Sequence, residues 1–211
     1  MRFRRDEAAL LLVDYQRGFL HPEGFVAAQG RDVSACAAAA RAGYALARAA
    51  RAAGMPVIWT RFVLAPDHSD GGLLVTELRP ALGRMGALRR GTPDVEIPEE
   101  AGVAPADVVL DKPRNSAFIG TPLEVVLAAR GIRALMVGGV TTSMCVECTV
   151  RDAAQRDIRT FVVREAVADF DAARHAASLD AMAFGFARIV GANAALDAIA
   201  AGEAEFPPPA Q

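Results

Sequence analysis

The sequence predicts an α/β fold: a three-layer α/β/α arrangement around a doubly wound, mainly parallel, six-stranded sheet. Three observations predict it. Short apolar runs alternate with helical patterns along the 211 residues, as strand–helix–strand units require. The first run, "AALLLVDY" (8–15), is continuously apolar, which marks a strand buried on both faces rather than one with a wet side. The stretches between runs carry helix punctuation, such as a Gly at the expected stop.

The elements follow in order. After the first strand and a loop, the Ala/Arg-rich stretch from about 34 to 53 reads as a helix stopped by Gly54. "PVIWTRF" (56–62) is the second strand. Residues 63 to about 106 are irregular and rich in Gly and Pro, long enough to suggest a lid or an interface holding one short helix. "DVVLD" (107–111) is the third strand. "TPLE" (121–124) opens a helix, with Thr121 as N-cap, Pro122 at the first helical position and Glu124 closing a capping box. Gly131 ends it. "ALMVGG" (134–139) is the fourth strand, followed by a helix from about 143 to 156. "RTFVV" (159–163), a helix over about 171–184, "ARIV" (187–190) and a short final helix complete the pattern, and the tail "FPPPAQ" is expected to fray. No repeat or linker divides the chain, so residues 1–211 read as one domain.

Bulk properties exclude several classes. Apolar residues make up 53% of the chain, which excludes global disorder. A net charge of −2 points to no nucleic-acid or membrane partner. "MRFRRDEAALLLV" is basic, but its apolar run stops at Asp14 without a small-residue cleavage site. A cytoplasmic location is expected, where structural disulfides are rare.

Parallel sheets bind ligands outside the carboxyl ends of their strands. Three chemically capable residues stand at such ends. Asp14 ends the first strand. Lys112, the single Lys among 23 basic residues, follows the third. Cys145 lies in the turn from the fourth strand into a helix. A thiol needs help to become a nucleophile. A helix start and an ammonium favour its thiolate, and a carboxylate can take its proton and return it to a leaving amine. Gly138 and Gly139 let the backbone approach closely. Cys148 forms a C-x-x-C with Cys145, the layout of a thiol–disulfide oxidoreductase, but that reading leaves Asp14 and Lys112 idle. A zinc site lacks a second C-x-x-C, and His21, His68 and His175 are scattered.

The patterns D-x-Q-x-x-F (Asp14, Gln16, Phe19), K-x-x-x-S-x-F-x-x-T (Lys112, Ser116, Phe118, Thr121) and "GVTTSMCV" resemble the isochorismatase-like cysteine hydrolases, which have a Rossmann-like fold. The resemblance runs over most of the chain. It implies a catalytic triad of Asp14, Lys112 and Cys145, a cis peptide at Val140–Thr141, and an oxyanion hole from the N–H groups of Thr141 and Cys145. It also implies a homodimer or homotetramer acting on a small-molecule substrate. Nicotinamidases of this family carry a metal after the second strand, held by D-x-H and a later His. Here that place reads "WTRFVLAPDHSD", so no metal and no cofactor are expected. Isochorismatases cleave a vinyl ether without a nucleophilic Cys.

The expected reaction is hydrolysis of a C–N bond in a small amide, carbamoyl or ureido compound. The alternatives are a vinyl-ether hydrolase, a non-catalytic binding protein on the same fold, and the C-x-x-C oxidoreductase. Candidate substrate-binding residues are Phe19, Trp59, Arg61, Ser116, Phe118 and Thr142, with Arg61 or Arg114 as a partner for a substrate carboxylate. Phe170 stands where carbamoylsarcosine amidase has its carboxylate-binding Arg.

Overall fold

A computed structural model describes residues 1–208. Six parallel strands form the main sheet: β2 (Ala8–Val13), β3 (Val57–Phe62), β4 (Val108–Lys112), β5 (Ala134–Val140), β6 (Arg159–Ala168) and β7 (Arg188–Val190). Their spatial order is β4-β3-β2-β5-β6-β7. Every residue of β2 and β5 is buried, as continuous apolar runs demand of strands covered on both faces. The chain starts in the middle, winds outward to β4, then returns to β5 beside β2 and winds the other way. Right-handed crossovers in opposite directions put helices on both faces. Helices α2 (Ser34–Ala52) and α7 (Ala192–Ala201) pack together on one face; α5 (Glu147–Ala154) and α6 (Ala172–Gly185) pack together on the other, with α4 (Leu123–Ala129) leading into β5. The winding reverses between β2 and β5, so the carboxyl ends of these two strands border the crevice.

Two features were not anticipated. Strand β1 (Arg2–Arg4) pairs antiparallel with β8 (Glu203–Glu205). Phe206 packs its ring 5.2 Å from that of Phe161, and its N–H donates to the Met1 carbonyl. The tail is therefore anchored at least to Phe206 and does not fray there; residues 209–211 lie outside the described residues. Helix α4 starts one residue later than expected, with Pro122 rather than Thr121 at the N-cap position, although Thr121 Oγ1 accepts from the Leu123 N–H at 3.1 Å. The capping box itself does not form. Glu124 pairs with Arg156 instead, because a guanidinium in the turn after α5 offers the carboxylate a charged partner.

The long segment after β3 holds a π turn (Leu74–Leu78), the short helix α3 (Ala81–Met85) and two 3-10 turns. The short helix α1 (Arg17–Leu20) follows β2. No helix of the described residues is long and apolar enough to cross a membrane.

Candidate active site

Asp14, Lys112 and Cys145 meet at the carboxyl rim of the sheet, all three buried. Asp14 is the first residue past β2, and its φ of 57° is left-handed, a conformation that Asp tolerates better than most residues. The left-handed turn breaks the strand. Gln16 repairs the edge: its Nε2 donates to the Phe62 carbonyl at 3.0 Å and its Oε1 accepts the Phe62 N–H at 2.6 Å. This gives the D-x-Q-x-x-F pattern a physical meaning. Asp faces inward, Gln ties the turn to β3, and Phe19 on α1 reaches the cavity.

Lys112 ends β4, two strands away from β2. Strands lie about 4.8 Å apart, so only a long side chain spans the gap. Its stem passes over β3, with Nζ 4.4 Å from the centre of the Phe62 ring. Nζ lies 2.7 Å from Asp14 Oδ2 and donates to the Arg114 carbonyl at 2.9 Å. The other carboxylate oxygen, Oδ1, accepts from Thr60 Oγ1 at 2.8 Å. Oδ2 faces the Lys112 ammonium in this ion pair and has no further donor among the described residues.

Cys145 lies in a π turn (Thr142–Val146) directly ahead of α5. The Val140–Thr141 peptide is cis. The Thr141 carbonyl accepts from the Met144 and Val146 N–H groups, whereas the Thr141 N–H has no acceptor among the described residues. Burial pushes the Cys145 thiol well above its ordinary value; Lys112 pulls it back only in part, and Asp14 adds to the rise. Desolvation therefore opposes a thiolate on the resting sulfur, against the pull of Lys112. Burial would lower the Lys112 ammonium, but Asp14 and then Cys145 outweigh it, and its pKa is raised.

A cavity of about 360 Å³ opens over Cys145. Its apolar wall includes Phe19, Phe25, Phe62, Leu74, Leu82 and Phe170, and Asn115 and Thr141 stand with Cys145 at the polar end. Asn115 Oδ1 is 4.0 Å from Cys145 Sγ. Phe170, just past β6, forms part of this apolar wall.

Of the proposed substrate-binding residues, Phe19 lines this cavity and five others do not. Side chains alternate along a strand, so Thr60 and Phe62 of β3 face the site while Trp59 and Arg61 face away. Trp59 donates from Nε1 to Asp107, and Arg61 pairs with Asp111. Ser116 Oγ accepts the Phe118 N–H, and Phe118 lies buried under the Arg156 guanidinium. Thr142 Oγ1 is spent on His175 Nδ1 at 2.9 Å. Arg114 also points elsewhere, donating to the Asp70 and Pro113 carbonyls. The motif around Lys112 is thus a structural clasp. Ala117 N–H donates to Thr149 Oγ1, which in turn donates to the Cys145 carbonyl. Cys148 is half-buried, one turn along.

Sequence reasoning missed Thr60, Asn115 and Arg79. The first was legible in principle, being two residues before Phe62 on the inward face of β3. The other two sit in loops whose course no local pattern reveals.

The profile of the isochorismatase domain matches residues 8–194. This chain belongs to the isochorismatase family. Among curated members, the ureidoacrylate amidohydrolase RutB of Methylorubrum extorquens AM1 is 35% identical over 176 residues, covering 78% of this chain and 71% of that protein. Among solved structures, a cysteine hydrolase from Pseudomonas syringae pv. phaseolicola superposes with a TM-score of 0.87 at 29% identity, covering 95% of each chain. The N-carbamoylsarcosine amidase of Thermoplasma acidophilum shares the fold, with a TM-score of 0.71 at 24% identity over 89% of this chain and 97% of that one.

Proposed function

We propose that this isochorismatase-family protein hydrolyses a C–N bond in a small amide, carbamoyl or ureido compound through a thioester at Cys145. The buried Asp14–Lys112–Cys145 cluster beneath an open cavity carries the reading. Family membership and a relative named for ureidoacrylate hydrolysis support it.

The chemistry follows from the atoms. A carbonyl carbon comes to rest over Cys145 Sγ. The thiol proton passes to the Asp14 carboxylate, and the sulfur electron pair forms the S–C bond. Lys112 offsets the negative charge that moves between sulfur and carboxylate. The carbonyl electrons shift to oxygen, which faces the N–H groups of Thr141 and Cys145. The C–N bond then breaks, and Asp14 returns the proton to the leaving nitrogen. Water adds to the thioester with Asp14 as base. The C–S bond breaks, sulfur regains a proton, and the net reaction is one amide plus one water to one acid plus one amine or ammonia. A raised thiol pKa suits this sequence, because the thiolate forms only when a substrate is there to receive it.

The test is ammonia release from a panel of small amides, carbamoyl and ureido compounds. Cys145→Ala is expected to abolish release, and Cys148→Ala to leave most of it. Equal loss in both, with a reversible Cys145–Cys148 disulfide in the wild type, would replace this reading with the oxidoreductase.

A further inference from the structure

The turn that carries Cys145 is wound more widely than an α-helix, and a carboxylate outside the catalytic cluster grips it. In regular α winding the Cys145 N–H would donate to the carbonyl four residues back, that of Thr141. Here the Thr141 carbonyl accepts instead from the Met144 and Val146 N–H groups, both at 3.2 Å, and passes over Cys145 between them. The next bond repeats the wide step, from the Glu147 N–H to the Thr142 carbonyl. Single π turns of this kind recur at functional sites. The winding keeps the Cys145 N–H off the Thr141 carbonyl, and that N–H is one of the two assigned above to the oxyanion.

Asp169 is the first residue past β6, and the register that pairs Val140 with Ala168 puts it beside Thr141. Its side chain is 2% exposed. Oδ2 accepts from the Ser143 N–H and Oγ at 3.0 and 2.6 Å. Oδ1 accepts from the Phe170 N–H at 2.8 Å and from Arg174 at 3.4 Å. Arg79 and Arg174 line the same cavity, so the buried carboxylate lies among positive charges, as buried charges require. Helix α6 holds the preceding residue: Thr142 Oγ1 meets His175 Nδ1 at 2.9 Å, and Ser178 Oγ lies 3.1 Å from the Thr142 carbonyl. Among the described residues, Asp169 alone takes the Ser143 N–H. An ordinary N-cap accepts such an N–H too, but the i→i−4 ladder then runs on behind it. Here the ladder skips Cys145.

We propose that Asp169 is a positioning residue for the reaction. By gripping Ser143 it keeps the turn wide and the Cys145 N–H free for the oxyanion. Without that grip the turn tightens by one residue, and the Cys145 N–H is spent on the Thr141 carbonyl. Asp169 acts through the backbone of the turn and not on the sulfur. The inference deepens the C–N hydrolase reading, on which the oxyanion rests.

Two reagents for Cys145 separate this role from a general loosening of the site. p-Nitrophenyl acetate acylates a thiol through a tetrahedral oxyanion, forming an S–C bond and expelling p-nitrophenolate. Iodoacetamide alkylates the same sulfur by displacing iodide, with no oxyanion. Both are run on Cys148→Ala protein as the parent, because Cys148 is half-buried while Cys36 is fully buried. Adding Asp169→Ala should slow acylation about 10²-fold, the low end for loss of one oxyanion donor, and leave alkylation within about 2-fold of the parent. Asp169→Asn keeps an oxygen for the Ser143 N–H and should recover most of the acylation rate. Ser143→Ala loses only the hydroxyl bond and should slow acylation about 5-fold, the worth of one hydrogen bond; it carries the test if Asp169→Ala does not fold. In ammonia release, Asp169→Ala should lower kcat with KM little changed. Equal slowing of acylation and alkylation, or no slowing of acylation, overturns the positioning role and leaves the hydrolase reading intact. A parent protein that takes iodoacetamide and resists the ester overturns it as well. Asp169-dependent acylation with no ammonia from any amide, carbamoyl or ureido compound upholds the positioning role and overturns the C–N hydrolase.

Discussion

Lys112 works by bridging two strands to place one ammonium against Asp14 Oδ2, with Phe62 on one side and the Arg114 carbonyl on another. That enclosure leaves no room for the wider, planar guanidinium fork. Lys112→Arg is expected to lower turnover by about 10²-fold or more, since a displacement near 1 Å at the reacting atoms costs that much; ammonia release against a titrated active site measures it. Thr60 holds the other carboxylate oxygen. Thr60→Val keeps the shape and removes the donor, so turnover should fall about 10-fold, the worth of one hydrogen bond to a charge, while Thr60→Ser should recover most of it. The buried thiol gives a pH prediction with a definite sign. Its pKa is raised by burial first, so its thiolate fraction grows only toward alkaline pH. Iodoacetamide labelling of Cys145 should climb with pH beyond 9 in the resting enzyme, with no plateau below 7. A plateau at acidic pH would show a preformed thiolate.

The carboxyl end of β5 shows why the element, not only the residue, decides the site. Gly139 has a φ of 151°, and a Cβ there would stand 2.5 Å from Val13 Cβ and 2.6 Å from the Val13 carbonyl oxygen. The two strands that carry Asp14 and the Cys145 turn meet at that point, so a side chain would wedge them apart. Gly139→Ala should destabilise the fold by about 1–3 kcal/mol through overpacking and depress turnover beyond what stability explains, because Asp14 follows Val13 directly. Thermal unfolding and kcat on the same preparation separate the two effects. The "GG" at 138–139 was legible as a close approach; which backbone it approached was not. Likewise the strand run of Trp59 and Arg61 was legible, but its facing was not. Alternation fixes which residues share a side, and only the neighbouring strand says which side is wet. The capping box failed for a related reason, since the Arg156 that draws Glu124 away stands in a turn 32 residues further along the chain.

At the scale of the molecule, the chain ends close on each other. Strands β1 and β8 pair, and Phe3, Phe161 and Phe206 stack in sequence, the first two edge to face at 5.7 Å. This cluster is remote from the catalytic rim. Phe206→Ala should cost about 2 kcal/mol, less than a fully buried Phe because Phe206 keeps some exposure, and lower Tm by about 4–8 °C. Its kcat/KM at 25 °C should match the wild type; a selective loss of activity would mean that the closure supports the site.

By itself the sequence determined the sheet, its parallel sense and the three residues at its rim. These follow from local physics. A doubly buried strand must be continuously apolar, a helix must be punctuated, and a polar residue at the end of such a strand stands out against its neighbours. Tertiary structure alone decided how the two oxygens of Asp14 are engaged, that burial opposes a Cys145 thiolate, and that Thr60, Asn115 and Arg79 join the site while Trp59, Ser116, Phe118 and Thr142 leave it. Those outcomes depend on desolvation and on contacts between residues far apart in the chain. Neither has a period or a spacing, so neither leaves a mark that a sequence can display.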